Sequence, residues 1–236
     1  MENSKLEFKN KNGFLIAFEG ISGCGKSESI RELYSYLKQK GCKVHIAEWN
    51  SNRLLRKLFS LLGSLGLLTP KVYSVLLWLG FLIDYFFKIA PLTNKGYIVL
   101  ADRYVYTGLT RDAVNKAGRR LGKAVWKFVR KPDVLFFFDI PPAICYDRIL
   151  KRGKTLFHTN KAIKNSRKLK NNDLFYLKKM RWFYIKLFKT QLKDQNTKIF
   201  FIRDNGISVR EYVRDLIDAK TDNENRSIFK MFINKY

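Results

Sequence analysis

Residues 14–27 read FLIAFEGISGCGKS, and residues 28–41 continue as ESIRELYSYLKQKG. The first five are an apolar run of strand length, and the turn after them, Gly20 to Ser27, matches G-x-x-x-x-G-K-[ST]. At average glycine usage that pattern arises by chance in roughly one chain in a hundred of this length, so its context matters. Here the context is right: a buried strand precedes it, and Ile30, Leu33, Tyr34 and Leu37 fall at helical spacing after it, with Gly41 placed to end the helix. The chemistry needs these residues. Glycines let backbone N–H groups of Gly20, Ile21, Ser22, Gly23, Cys24, Gly25, Lys26 and Ser27 converge on phosphate oxygens, and the helix N-terminus favours negative charge. Lys26 is placed for the β- and γ-phosphates of ATP, and the Ser27 hydroxyl for Mg²⁺. Cys24 is read as a small residue in a tight loop, not a redox centre.

Outward from this loop the pattern repeats. Lys43–Glu48 (KVHIAE), Tyr97–Ala101 (YIVLA), Val134–Asp139 (VLFFFD) and Lys198–Arg203 (KIFFIR) are further strand candidates. Several are continuous apolar runs, as in strands buried on both faces. Helical segments separate them, including 53–63 and 70–90, which Gly66 and Pro70 divide. Together they predict one α/β domain with a parallel sheet. The stretch 72–90 is long and apolar enough to span a bilayer, but Asp84, Ser74 and Lys88 interrupt it, so a buried helix that also offers a dimer face is expected.

The chain has 236 residues, with 46 Lys+Arg against 20 Asp+Glu and a formal charge of +26. A folded chain is expected despite this charge, because 46 % hydrophobic and 15 % aromatic residues are enough to fill a core. Residues 1–13 have no apolar h-region, so a secretory signal is not expected. Cys24, Cys42 and Cys145 are odd in number and widely spaced, which suggests reduced thiols in a cytoplasmic protein and neither a disulfide frame nor a zinc site. Half of the net charge, +13, falls in residues 151–200, and residues 151–170 hold eight cations and no carboxylate. A second cluster, Arg111 to Lys131, holds eight cations against Asp112 alone. Most such lysines belong to solvated faces.

On its ordered motifs the chain resembles the thymidylate kinase family of P-loop nucleoside monophosphate kinases, over about residues 14–220. Those motifs are Phe18-Glu19-Gly20 entering the loop, Asp102-Arg103-Tyr104 closing the YIVLA strand, and Pro132-Asp133 opening VLFFFD, with Arg148-x-x-x-Arg152 after it. The resemblance implies a P-loop NTPase three-layer α/β sandwich with a five-stranded parallel sheet and a lid at about 151–166. Residues 1–13 and 221–236 then form an N-terminal extension and a C-terminal tail. It implies a homodimer that uses ATP and Mg²⁺ to phosphorylate a (deoxy)nucleoside monophosphate, above all dTMP to dTDP. Asp102, at a strand end, is placed beside Mg²⁺ with Ser27, and Arg103 for bidentate contact with the acceptor phosphate. Arg53, and after it Arg56, are candidates for a second acceptor cation. Phe81 matches the phenylalanine that stacks on the base, with packing in the core as the other reading of the same residue, and Thr107 a serine near the acceptor. The position that carries an arginine in some members is Gly23, so the loop supplies none, and Arg148 with Arg152 fit the lid-type arrangement. An arginine that meets the transferring group is worth about 10³–10⁵ in rate.

Departures cluster at the acceptor. Ser22 stands where the family has an acid facing the sugar 3′-hydroxyl, Tyr85 where an arginine reads the thymine edge, and Arg111 where an aromatic lies near the sugar. Two other functions compete. In related deoxynucleoside kinases a glutamate at the place of Glu19 takes a proton from the sugar 5′-hydroxyl. A basic P-loop protein that binds nucleic acid or a membrane surface would use the cations of 151–170 with Phe175, Tyr176, Trp182, Phe183 and Tyr184. Those aromatics fall at helical spacing with Leu and Met, which favours a core-facing stripe.

Overall fold

The computed structural model describes residues 13–49, 53–153, 156, 172–190, 197–203, 209 and 211. The N-terminal extension before Gly13, most of the lid and the C-terminal tail lie outside them, as do the side chains of Arg53 and Arg56. Five strands, β1 (Phe14–Gly20), β2 (Val44–Glu48), β3 (Ile98–Asp102), β4 (Val134–Phe138) and β5 (Lys198–Ile202), form one sheet in the order β2-β3-β1-β4-β5. Every pairing is parallel. Among these strands β3 and β4 sit on either side of β1, and all five residues of β4 are buried. The continuous apolar runs predicted this, because helices cover both faces of a parallel sheet.

The helices are α1 (Lys26–Gln39), α2 (Arg53–Ser64), α3 (Pro70–Asp84), α4 (Ala90–Asn94), α5 (Val105–Asn115), α6 (Arg120–Phe128), α7 (Pro142–Lys151) and α8 (Asn172–Thr190). Thr69 caps α3 by accepting from Val72 N, and Pro70 takes the first turn, where no N–H is needed. The helix expected over 70–90 is not uniform: Tyr85–Ile89 widen into a π-helical turn before α4. Pro91 gives the reason, since its ring would strike the carbonyl four residues back and has no N–H to offer.

Pro70–Asn94 is long and apolar enough to cross a membrane by length and composition. In the fold its Leu77, Trp78, Phe81, Tyr85 and Ile89 are buried in the core. Asp84, buried, pairs with Lys88 at 3.0 Å. The Trp78 indole locks α3 to α5 and α6. Its Nε1 donates to Asp112 Oδ2 at 2.7 Å, and a Cβ on Gly108 or Gly122 would lie 2.6 or 2.7 Å from its ring. On α8 the expected stripe is present: Tyr176, Leu177, Met180, Tyr184, Leu187 and Phe188 face the core, while Trp182 is exposed.

Candidate functional site

The sheet register places the site. Phe18 pairs with Asp102 and Gly20 with Phe138, so β1 delivers the loop between the C-terminal ends of β3 and β4. Ligands gather at this edge in open α/β sheets, where the strand order reverses. The loop bounds a cavity of about 340 Å³ lined by Ser22 to Glu28, Arg31, Asp102, Arg103, Ile149, Arg152 and Leu156. Gly23 has φ +83°, and a Cβ there would lie 2.4 Å from the Cys145 carbonyl oxygen of α7. No arginine fits at that position.

Lys26 is only 5 % exposed, and its Nζ donates to Gly20 O at 3.1 Å, Ile21 O at 2.9 Å and Cys24 Sγ at 3.2 Å. Burial, then the neighbouring Arg103 guanidinium, pull its pKa below the ordinary lysine value. Cys24 is buried, as a small residue in a tight loop should be, and Cys24, Cys42 and Cys145 are all free thiols. Ser27 Oγ donates to Asp102 Oδ2 at 3.1 Å, which brings the two expected Mg²⁺ ligands together.

Arg103 sits at φ +73°, a left-handed conformation that costs a non-glycine residue roughly 1–3 kcal/mol. The strain aims its side chain back at the loop: Nη1 donates to Gly20 O at 3.0 Å and to Thr107 Oγ1 at 3.4 Å, and Nη2 to Ser22 Oγ at 3.4 Å. Arg103, Thr107, Ser22 and the loop therefore share one mouth. Of the two lid-type arginines only Arg152, just past the end of α7, lines the loop cavity; Arg148 lies outside its lining.

The acceptor side corrects one expectation. Phe81 is 2 % exposed and offers no open face. Trp49 stacks on it with centroids 4.8 Å apart and planes at 26°, Tyr85 stacks at 6.2 Å, and Trp78 and Tyr104 meet it edge-on. A base would stack there only after Trp49 moved.

The family model for thymidylate kinase matches residues 18–193, well over half of the chain. The chain belongs to the thymidylate kinase family. Among its curated relatives is the thymidylate kinase of Thermosipho africanus, 32 % identical over 203 residues, 82 % of this chain and 90 % of that one. The probable thymidylate kinase 2 of Saccharolobus solfataricus is 32 % identical over 144 residues, 61 % of this chain and 67 % of the relative. The probable thymidylate kinase of Archaeoglobus fulgidus is 32 % identical over 142 residues, 59 % and 71 % of the two chains.

Against the family pattern, the substituted positions have local roles. Tyr85 is tied into the core, its hydroxyl accepting from Arg130 N at 3.0 Å. Arg111 is half-buried and donates from Nη1 to Tyr73 Oη at 3.0 Å. Burial works against its charge, but Tyr73, Tyr176, Tyr184 and Glu19 outweigh it and raise its pKa.

Glu19 is fully buried. Its Oε1 accepts from Tyr104 N at 2.8 Å and Thr107 N at 3.2 Å, so the carboxyl satisfies the open N–H groups at the start of α5 from a neighbouring strand. Oε2 lies 2.6 Å from Thr107 Oγ1 and 2.9 Å from Tyr184 Oη, and those hydroxyls are 2.7 Å apart. Burial raises its pKa, while the Thr107, Tyr104 and Tyr184 hydrogen bonds and Arg103 hold it back. Three oxygens in mutual contact form a complete hydrogen-bonded ring only with three protons, which favours the protonated carboxyl. Four groups of the protein engage its two carboxyl oxygens, which removes the support for Glu19 as a catalytic base.

A carboxyl with a raised folded pKa contributes stability below the ordinary glutamate value, and that stability is lost as pH rises through the folded value. Glu19→Gln mimics the protonated form. Thermal unfolding across mildly acidic to neutral pH should therefore lose part of the wild-type decline with rising pH, while phosphoryl transfer to monophosphates persists. An unchanged pH slope contradicts this assignment.

Three participants had weak signals in the sequence. Arg31 lines the loop cavity and donates from Nε to Ser27 O at 3.0 Å, at i,i+4 from the motif serine. Trp49 follows directly on the second strand. Tyr184, read only as part of the core-facing stripe, meets Glu19 across 165 residues of chain.

Proposed function

We propose that the protein transfers the γ-phosphoryl group of ATP to the 5′-phosphate of dTMP, giving dTDP and ADP. The observation that carries this is the convergence of the Lys26 loop and Arg103 on one mouth, with Arg103 Nη1 bonded to Gly20 O at 3.0 Å. A phosphate loop alone fits any nucleotide hydrolase. A guanidinium held against it supplies a second anion site for an acceptor that already carries phosphate. Loop amides and Lys26 hold the donor phosphates, and Arg103 orients the acceptor oxygen for in-line attack on the γ-phosphorus. The bond to the β-γ bridging oxygen breaks and ADP leaves. No strong base is needed, because the attacking group is a phosphate oxygen, in keeping with the engaged Glu19. Arg152 faces the donor side and adds positive charge where the transferring group develops negative charge.

Ser27 and Asp102 present a hydroxyl and a carboxylate oxygen 3.1 Å apart. That sparse oxygen set suits Mg²⁺, which keeps several waters and binds substrate phosphates. When bound, the ion neutralises charge on the β- and γ-phosphates. Among the described residues no cluster of three or more His, Cys, Asp or Glu competes for it.

A panel of dTMP, dUMP, UMP, dCMP and dGMP with Mg·ATP tests the acceptor. Release of ADP is expected to be fastest with dTMP. No ADP above background with any of the five overturns the proposal, and turnover of thymidine in their place would revive Glu19 as a base.

The exposed apolar side chains of Val72, Val75 and Leu79 on α3, Phe86, and Leu121 and Phe128 on α6 support a homodimer that buries this face. Phe86 and Phe128 already touch, with centroids 5.8 Å apart. Sedimentation should give a dimer that dissociates in Val75→Asp/Leu79→Asp; a monomeric wild type contradicts it. A cytoplasmic location fits the free thiols and nucleotide substrates.

A further inference from the structure

The mouth shared by the loop and Arg103 holds a second arginine that the transfer step leaves unused. A line of contacts leads from the loop along α5. Arg103 Nη1 donates to Gly20 O at 3.0 Å and to Thr107 Oγ1 at 3.4 Å. Arg111 lies one helical turn, about 6 Å, beyond Thr107 on the same face of α5. Its Nη1 reaches across to Tyr73 Oη of α3 at 3.0 Å. The two guanidinium groups share one cleft, because the buried Tyr176 of α8 feels both: burial raises its pKa, while Arg111 and then Arg103 hold it back.

A guanidinium carries five N–H donors and no acceptor. Among the described residues, Tyr73 Oη is the one hydrogen-bond partner of Arg111, and no carboxylate pairs with it. Glu19, whose charge acts on it, is occupied by four other groups. Arg111 Nε and Nη2 bond nothing among the described residues, yet the side chain is only half-buried and neither nitrogen is sealed in. Donors fixed at a cleft and reached by solvent select a ligand that presents an acceptor to them. The rings beside Arg111 suit a flat ligand. Tyr73 packs on Phe59 of α2 with centroids 5.3 Å apart, and both residues are half-buried. Phe81, by contrast, is closed off by Trp49.

Taking dTMP as the acceptor, we infer that its base lies toward Arg111 and not on Phe81, and that Arg111 donates to the outermost carbonyl oxygen of thymine, O4. With the phosphate on Arg103, the nucleoside extends along α5 past Thr107, and its far end meets the free donors. The choice of base follows from donor-only chemistry. Thymine and uracil present an oxygen at position 4. Cytosine presents an amino group there, which cannot pair with a guanidinium and leaves donors on both sides unmatched. Arg111 is a specificity residue: it reads the base and leaves the transfer to Lys26, Arg103 and the metal ligands.

Equilibrium dialysis of the full chain with labelled dTMP or dCMP, without ATP, tests this apart from turnover. Wild type should hold dTMP about tenfold or more tighter than dCMP. Arg111→Met should weaken dTMP by about tenfold or more, leave dCMP unchanged or tighter, and erase the preference. Arg111→Gln has an amide that offers both donors and an acceptor, so it keeps a partner for Tyr73 and should bind the two nucleotides within a few-fold of each other. Deoxyribose 5-phosphate, which lacks the base, should compete equally for all three proteins; a merely structural role would weaken it too. No preference for dTMP in wild type, an undiminished preference in both variants, or equal loss of dTMP, dCMP and deoxyribose 5-phosphate overturns the inference. If dTMP is still phosphorylated in those cases, only the Arg111 site falls. Arg111-dependent binding of dTMP with no transfer would instead overturn the proposed reaction and leave this site standing.

Discussion

Lys26→Met lowers kcat for phosphoryl transfer by about 10³-fold or more and leaves the fold intact. The ammonium group is buried at a cost that its depressed pKa reports, and three loop acceptors at 2.9–3.2 Å hold it there. Methionine keeps the length of the apolar stem and removes the three donors. Stability should stay level or rise, because a buried charge disappears while the loop carbonyls turn to water. Donor phosphates then lose the cation that neutralises them as the γ-phosphoryl departs. ADP release under saturating substrates, read beside a thermal melt, checks both halves. A folded variant that keeps more than about a tenth of the activity contradicts the role of Lys26.

Arg103→Lys should lower kcat/KM for the acceptor by about 10²-fold with little change in the KM for ATP. A lysine keeps the charge but loses the planar fork that now spans Gly20 O and Ser22 Oγ. Backbone strain gives an independent check. With φ at +73°, Arg103→Gly relieves a conformation that glycine adopts freely, so it should melt at a temperature equal to or above wild type while losing the acceptor more completely than the lysine variant. Loss of activity with a lower melting temperature would mean that Arg103 supports the fold, not the acceptor.

The sheet was legible because continuous apolar runs between amphipathic helices allow few other arrangements, and the loop was legible because its glycines and lysine lie within eight residues. Asp102 and Arg103 followed from their place at a strand end. Phe81 stayed open between base stacking and core packing: its covering partner, Trp49, comes from the end of another strand, so nothing local decides between them. Glu19 fits two functions as a letter, and only the four groups converging on it from α5 and α8 decide between them. The π-helical turn at Tyr85–Ile89 was implicit in Pro91 but hidden by the apolar run. Charge counting found the clusters yet not their partners, since Arg111 meets Tyr73 and Arg130 meets Asp133 only in the folded chain.

Incubation of the protein with dTMP, Mg²⁺ and γ-labelled ATP, followed by separation of the nucleotides, tests the central claim most directly. The label should appear in the β-phosphate of dTDP, in step with ADP. Label released only as inorganic phosphate, or none transferred to dTMP, would contradict it.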